Sequence, residues 1–282
     1  MHCSKMSEGA SPSPDLSIAW IKVDNLCRED SQIVQLKGKV AVIVGGAGGI
    51  GQATAQLMAQ AGAHVVITHR PGAEKAQQAQ ALLAQWPGGP HQATPADVAD
   101  SASLVTLRET VERAFGRCDI LVNSAGFTKP IAHADLDALD DALIDDMFAV
   151  NWRGQFATIR AFHTLLKASG DGLIVSVSSI AGMTGQGSNI AYCATKAGID
   201  VMTKSLARAL APEVRVMGVA PGVVDTGFVP GRGADFNQKT AATTPLRRVA
   251  TAHDVALAIM SCATHLPYST GSTLVVDGGR AL

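Results

Sequence analysis

The chain has 282 residues, of which 28 are glycine, 47% are apolar and only 17% are charged. This composition excludes a disordered chain, which would be polar and strongly charged, and it supplies enough apolar residues for a sizeable core. The 23 basic and 24 acidic residues give a net charge of -1 at pH 7, which argues against a nucleic-acid-binding protein with a basic face.

The first 34 residues are predicted to form a polar, flexible extension, and residues 35–282 to form one folded domain. The N-terminal sequence MHCSKMSEGASPSPD contains no apolar run of a secretory signal. No apolar segment approaches the roughly 18 residues needed to span a membrane, so no membrane association is expected. The 5 cysteines are widely spaced and the 8 histidines show no metal-ligand spacing, so we expect neither disulfides nor a metal site. These features favour the reducing cytoplasm.

Short β-branched segments alternate with alanine-rich helical segments from Lys39 onward. Strands are predicted at residues 39–45, 64–69, 91–97, 118–124, 172–179, 214–220 and 272–278. Helices are predicted at residues 52–61, 73–85, 101–115, 139–168, 190–210 and 253–263. This alternation predicts an α/β protein with a doubly wound parallel sheet of about seven strands, covered by helices on both faces. Residues 221–245, rich in Gly, Pro and polar side chains, are predicted to be a long lid or binding loop.

The first predicted strand runs directly into a glycine-rich turn, GGAGGIG at residues 45–51, which a helix follows. Glycine suits such a turn because the turn needs positive φ and because a pyrophosphate must approach bare backbone. The helix N-terminus then offers N–H groups to the phosphates. The context favours a Rossmann-type dinucleotide site, and a tight turn without a ligand is the alternative.

The end of the second predicted strand bears on the choice of dinucleotide. An acidic residue about 20 positions after the turn would hold the ribose 2′-OH of NAD, but His69 and Arg70 stand there. An arginine can instead pair with the 2′-phosphate of NADP. We therefore favour NADP(H) and keep NAD(H) possible, with an ordinary solvated Arg70 as the alternative.

A tyrosine and a lysine share one face of the helix predicted at 190–210. Tyr192 and Lys196 stand at i and i+4, and a nearby ammonium favours the tyrosinate by lowering the pKa of the tyrosine. Such a tyrosine can exchange a proton near neutral pH. Ser178 and Ser179 end a predicted strand, where ligands of α/β sheets bind. Gln186 and Ser188 lie in the loop that leads to Tyr192 and are predicted to face the substrate.

From about residue 36 to the C-terminus, these motifs and their order resemble the short-chain dehydrogenase/reductase family. The resemblance implies a catalytic tetrad of Asn151, Ser179, Tyr192 and Lys196. Ser179 is preferred to Ser178 because it stands 13 residues before Tyr192, the usual separation in the family. The implied roles are a general acid and base for Tyr192, a ribose ligand that lowers the tyrosine pKa for Lys196, carbonyl polarisation for Ser179, and a relay water held by Asn151.

The resemblance also implies a cofactor site drawn from several motifs along the chain. Its predicted members are Gly45, Gly48, Gly49, Ile50, Gly51, His69, Arg70, Asp97, Val98, Asn123, Ala125, Gly126, Tyr192, Lys196, Pro221, Gly222, Val224 and Thr226.

The predicted function is hydride transfer between NADP(H) and a carbonyl or secondary-alcohol substrate, by an oxidoreductase acting on CH–OH groups. Reduction of a 3-oxoacyl thioester is one form of this activity. The alternatives are an NAD-dependent secondary-alcohol or polyol dehydrogenase and a non-catalytic dinucleotide-binding regulator. The expected partners are a small-molecule substrate and copies of the same chain. The resemblance suggests a homotetramer, or a homodimer, with helices 151–168 and 190–210 at an interface.

Overall fold

The computed structural model describes residues 36–231 and 235–282. The predicted N-terminal extension, residues 1–34, lies outside the described residues, so its flexibility stays a prediction.

One parallel sheet of seven strands organises the domain, which confirms the predicted α/β architecture. Its strands are β1 (Val40–Val44), β2 (His64–His69), β3 (Gln92–Pro95), β4 (Ile120–Asn123), β5 (Gly172–Val177), β6 (Val214–Pro221) and β7 (Thr273–Val276). They lie in the order β3-β2-β1-β4-β5-β6-β7, and every pair of neighbours is parallel. The strand order reverses between β1 and β4, which opens a crevice at their carboxyl ends.

The helices cover both faces of the sheet, as the alternation predicts. They are α1 (Gly49–Gln60), α2 (Ala73–Leu83), α3 (Ser101–Phe115), α4 (Asp141–Met147), α5 (Gly154–Ala168), α6 (Ala181–Thr184), α7 (Ile190–Leu210), α8 (Phe236–Thr243) and α9 (Ala252–Thr264). No helix within residues 36–231 and 235–282 is long and apolar enough to cross a membrane.

Two hydrophobic cores lie on the two faces of the sheet. Alternate residues of β1 divide between them, because successive side chains of a strand point to opposite faces. Ala41 and Ile43 pack with Met58 of α1 and the buried face of α9, whereas Val40 and Val42 pack with Phe162 of α5 on the other side. Burial on both faces explains why the strands are almost continuously apolar.

Two predicted elements differ from the structure. The helix predicted at 139–168 begins at Asp141 and is interrupted by a π-helical segment, Phe148–Arg153, before α5 continues it. The loop predicted at 221–245 contains α8, whose single buried residue, Thr240, gives it no apolar stripe to reveal it in the sequence. Hydrophobic periodicity reports neither a local change of helical pitch nor a short polar helix.

Candidate active site

A cleft of about 2080 Å³ opens at the carboxyl edge of the sheet. The glycine turn after β1, the ends of β2, β5 and β6, the start of α7 and the face of α8 all line it. Most of the predicted site residues line this cleft, but Gly51, Asn123 and Asn151 do not and stand behind its wall. A crevice at this edge is where open α/β sheets bind ligands.

The glycines of the turn serve different purposes, which corrects the expectation that the turn as a whole needs positive φ. Of the five glycines at 45–51, only Gly45 has positive φ, at 81°. Gly51 is required for close packing, since a Cβ there would lie 2.3 Å from the carbonyl oxygen of Gly45. At Gly49 a Cβ would lie 2.9 Å from Cγ2 of Thr226, whereas at Gly48 the nearest atom is 3.8 Å away. Gly48 therefore leaves room on the cleft side of the turn.

The start of α7 places Tyr192 and Lys196 in the cleft. Asn189 caps the helix by accepting a hydrogen bond from the backbone N–H of Tyr192 at 2.7 Å, and its amide donates to the carbonyl of Lys129 at 2.8 Å. Lys196 Nζ lies 5.6 Å from the centre of the Tyr192 ring. The ring of Phe228 lies 6.1 Å from that of Tyr192. The tyrosine ring thus has both a cation and an aromatic ring as neighbours.

Lys196 is buried, and burial lowers the pKa of its ammonium to about 8, while the carboxylate of Asp200 acts in the opposite direction. Its Nζ donates a hydrogen bond to the carbonyl of Val177 at 2.8 Å. Asp200 accepts a hydrogen bond from Thr273 Oγ1 at 3.1 Å. Burial raises the pKa of the Asp200 carboxyl. These contacts connect β5, β7 and α7 beneath the tyrosine.

The two neighbouring serines have different surroundings. Ser178 Oγ donates to the carbonyl of Lys196 at 3.1 Å, which ties it to the helix. Ser179 Oγ accepts the backbone N–H of Ala181 at 3.1 Å, and its own hydrogen is free to be donated into the cleft that the residue lines. The geometry therefore supports Ser179 as the substrate-facing hydroxyl.

Asn151 lies in the π-helical segment and is fully buried. Its Oδ1 accepts the backbone N–H of Phe127 at 2.9 Å, and its Nδ2 donates to the carbonyl of Phe127 at 3.0 Å. The side chain thus fixes the segment after β4, where a Cβ on Gly126 would lie 3.0 Å from Asn151 Oδ1. The predicted relay water remains a hypothesis, because the amide itself is used to hold this segment.

Several other predicted cofactor residues have structural partners. Asp97 Oδ1 accepts the N–H of Ala99 at 2.9 Å, and the buried Asn123 amide donates to Ser176 Oγ at 3.5 Å. His69 is buried and its Nδ1 lies 2.8 Å from the carbonyl of Arg70, so its ring is engaged locally. The remaining predicted members of the cofactor group that line the cleft are Ile50, Val98, Ala125, Pro221, Gly222, Val224 and Thr226.

The part of the cleft beside the end of β2 contains two exposed cations. Arg70 lines the cleft, as predicted, and so does Lys75 from the first turns of α2. Sequence reasoning missed Lys75, because a charge at the start of a polar helix reads as an ordinary solvated side chain. Gln186 and Ser188 also line the cleft, and the Ser188 hydroxyl is hydrogen-bonded to Thr128.

The sequence profile of the family described as enoyl-(acyl carrier protein) reductase matches residues 45–281. A protein of Streptomyces violaceoruber, named ketoacyl reductase 2 of the granaticin polyketide synthase, is 37% identical over 86% of this chain and 96% of its own length. Cis-4-hydroxycyclohexanecarboxylate dehydrogenase of Sinomonas cyclohexanicum is also 37% identical, over 86% of this chain and 96% of its own.

A solved structure shows the same architecture. The crystal structure of a short-chain dehydrogenase/reductase from Burkholderia xenovorans superposes with a TM-score of 0.80 at 35% identity. The similarity covers 86% of this chain and 97% of that one.

Proposed function

This chain belongs to the short-chain dehydrogenase/reductase family, and on that premise we propose that it transfers a hydride between NADP(H) and a carbonyl or secondary-alcohol substrate. The observation that carries the proposal is the placement of Tyr192 beside Lys196 in a cleft that Ser179 also lines. A dinucleotide fits this cleft, since Gly48 leaves open space beside the N-terminus of α1. The nicotinamide, when bound, supplies or accepts the hydride.

The residues of the chain supply the proton and the orientation. In reduction, Tyr192 gives its phenolic proton to the carbonyl oxygen, and in oxidation it takes the proton back. The ammonium of Lys196 favours the tyrosinate and so lowers the pKa of Tyr192. Ser179 donates a hydrogen bond to the same substrate oxygen and orients the carbonyl. Asn151 keeps the segment after β4 in place at the edge of the cleft.

The preference for NADP(H) rests on charge at the end of β2. Arg70 and Lys75 are exposed cations that line the cleft there, and no carboxylate occupies the end of that strand. A guanidinium matches a phosphate with paired donors, which favours a 2′-phosphate over a 2′-hydroxyl. Replacing Arg70 with serine should weaken NADPH binding about 10- to 100-fold and leave NADH binding within about twofold, as measured by nucleotide fluorescence titration. Equal losses for both nucleotides would contradict the proposed contact between Arg70 and the 2′-phosphate.

The substrate class is proposed from the relatives and the cleft. One relative is named a ketoacyl reductase and another a dehydrogenase of a hydroxycyclohexanecarboxylate, so both names describe substrates that carry an oxo or hydroxy group together with an acyl or carboxyl group. Reduction of a 3-oxoacyl thioester is therefore one form of the proposed activity. An NAD-dependent secondary-alcohol or polyol dehydrogenase is the second candidate.

Exposed apolar side chains support the proposed self-association. Phe156 of α5 and Val201 of α7 are 36% and 63% exposed on the helices expected at an interface. Burying them against a second copy would be favourable. We propose a homotetramer, or a homodimer, in a reducing compartment such as the cytoplasm, consistent with the free and buried Cys118, Cys193 and Cys262.

The decisive experiment is NADPH oxidation by the purified protein with a panel of ketones and 3-oxoacyl thioesters. Tyr192→Phe should reduce kcat about 100- to 10,000-fold, because general acid catalysis is lost. Its melting temperature and NADPH affinity should stay close to those of the wild type. A Tyr192→Phe variant with full activity would refute the mechanism, and tight NADPH binding without any turnover by the wild type would favour a non-catalytic regulator.

A further inference from the structure

One wall of the cleft is formed by α8 together with the turn that follows β7. Phe236, Lys239 and Thr243 of α8 line the cleft, and Lys239 and Thr243 stand at i and i+4, so they share a face of the helix. Arg280, from the turn after β7, lines the cleft as well. Its Nη1 donates a hydrogen bond to Thr243 Oγ1 at 3.1 Å. A helix and a distant turn thus meet at one position of the wall.

Hydrogen bonds and close packing fix the conformation of the turn that carries Arg280. Asp277 accepts the backbone N–H groups of Gly279 at 2.8 Å and of Ala281 at 2.7 Å, one with each carboxylate oxygen. Gly278 and Gly279 have φ of 67° and 87°, which favour glycine. A Cβ on Gly279 would lie 3.0 Å from Cγ of Pro245, so the turn packs closely on the segment after α8. The backbone conformation therefore fixes the position from which the Arg280 side chain extends.

The charge of Arg280 is not neutralised by the described part of the chain. Among residues 36–231 and 235–282, no carboxylate lies within ion-pair distance of its guanidinium, and its side chain makes one hydrogen bond, to a neutral hydroxyl. Lys239 on the same wall is paired with Asp235. An arginine has five N–H donors, so most of those on Arg280 stay available.

Arg248, which follows the predicted loop 221–245 in the sequence, differs from Arg280 because its charge is neutralised. Its two terminal nitrogens bind the Asp254 carboxylate at 2.6 and 2.7 Å. The charge of Arg248 is therefore neutralised by a carboxylate in the first turn of α9. Arg248 does not line the cleft, which makes it a suitable control for the loss of an exposed guanidinium.

Apolar side chains line the cleft near Tyr192 and on α8. Phe228 contacts the ring of Tyr192, and Phe236 stands on α8 one turn before Lys239. Away from the end of β2, and apart from Tyr192 and Lys196, the other charged or titratable groups that line the cleft are Asp146, His133, Asp235 and Lys239. A substrate suited to this part of the cleft has an apolar body and an anionic end.

We propose that Arg280 binds an anionic group of the substrate while the reacting carbonyl lies at Tyr192. This inference rests on the proposed oxidoreductase function and names its substrate class, an oxo or hydroxy compound that carries an acidic group. Two sources offer that chemistry: the carboxylate of a free oxo acid and the phosphate of a pantetheine-linked thioester. Either anion can take paired hydrogen bonds from the guanidinium, which fixes the distance between the anion and the reacting carbon.

The test compares charged and neutral substrates of the same shape in Arg280→Gln. With 4-oxocyclohexanecarboxylate and NADPH, the variant should show a KM about 10- to 100-fold above that of the wild type, because a charge-assisted hydrogen bond is lost. With the methyl ester of the same acid, its KM should be unchanged. Acetoacetyl-pantetheine phosphate and unphosphorylated acetoacetyl-pantetheine form the second pair, and the pair in which the variant discriminates identifies the source of the anion.

Binding measurements separate failure of this inference from failure of the proposed function. Calorimetric binding of 4-oxocyclohexanecarboxylate and of acetoacetyl-pantetheine phosphate should weaken in Arg280→Gln, recover in part in Arg280→Lys and stay unchanged in Arg248→Gln. This readout needs no turnover, so an inactive wild type that binds one of these anions through Arg280 would refute the proposed function alone. Equal binding of both anions by wild type and Arg280→Gln, at equal melting temperature, would overturn the inference.

Discussion

Alanine substitutions at Gly51 and Gly48 should separate the packing role of the glycine turn from its ligand role. A Cβ at Gly51 would lie 2.3 Å from the Gly45 carbonyl oxygen, whereas ordinary van der Waals contact begins at 3.4 Å, so the backbone must move by about 1 Å. Overpacking of this kind costs about 1–3 kcal/mol of unfolding free energy. For a domain of this size, the melting temperature of Gly51→Ala should fall by about 2–12 °C.

Gly48→Ala is the matched substitution three residues earlier. Its nearest heavy atom would be 3.8 Å away, and its φ of -116° and ψ of 155° are accessible to alanine. We therefore expect a melting temperature within about 3 °C of the wild type, from a stability change under 1 kcal/mol. The added methyl group would stand where the pyrophosphate is expected, so NADPH affinity should fall at least about tenfold.

The assay is a thermal melt of each variant together with a fluorescence titration by NADPH. The two variants should show opposite patterns, with stability lost mainly in Gly51→Ala and NADPH affinity lost at intact stability in Gly48→Ala. Wild-type NADPH affinity in Gly48→Ala would refute the placement of the pyrophosphate against this turn. An unchanged melting temperature in Gly51→Ala would refute the packing argument.

Three further predictions concern charge and helix capping. Asp200→Asn removes the carboxylate that raises the pKa of Lys196, which burial lowers to about 8. The activity that needs the ammonium is therefore expected to decline at a lower pH in the variant than in the wild type, and an identical pH profile of kcat would contradict this. Asp119 is buried, and its Oδ1 lies 2.6 Å from Nη2 of Arg117, whose hydrogen bond lowers the pKa of the carboxyl. The ionised carboxylate therefore stabilises the fold above about pH 4, and this stabilisation is lost as the pH falls through the folded-state pKa. Asp119→Ala should therefore cost about 1–3 kcal/mol in urea unfolding at pH 7 and less at pH 3. Thr251→Ala removes the capping box of α9 and should lower stability by about 1 kcal/mol, seen as a melting temperature about 2–4 °C lower.

The helices whose ends carry a local signal were predictable from sequence. The bounds predicted for α3 and α7 agree with the structure, because Asp100 and Asn189 cap their N-termini and Gly116 ends α3 in the left-handed conformation. The start of α4 and the π-helical interruption at Phe148–Arg153 were not predictable in this way. An apolar pattern reports which face is buried, not whether a turn holds an extra residue.

The candidate site divides in the same way. Tyr192, Lys196 and the glycine turn are found in the sequence because their spacing is short and each lies at the end of an element. Asp200 is hydrogen-bonded to Thr273, which is 73 residues away in the chain. Arg280 is hydrogen-bonded to Thr243, which is 37 residues away. Only the packing of β7 against its neighbours creates those contacts, so no local pattern could reveal them.

The reversal of strand order between β1 and β4 has a consequence for how the chain reaches its native state. The Asp119 carboxylate meets the N–H of Val40 across 79 residues, whereas β1 and β2 pair across 24, from Val40 to His64. Chain entropy opposes the longer closure by about 1 kcal/mol more, so we expect β4 to join β1 late in folding. The crevice proposed for the dinucleotide exists only after that step. Nucleotide capture during refolding would therefore report the completed sheet, rather than either half alone.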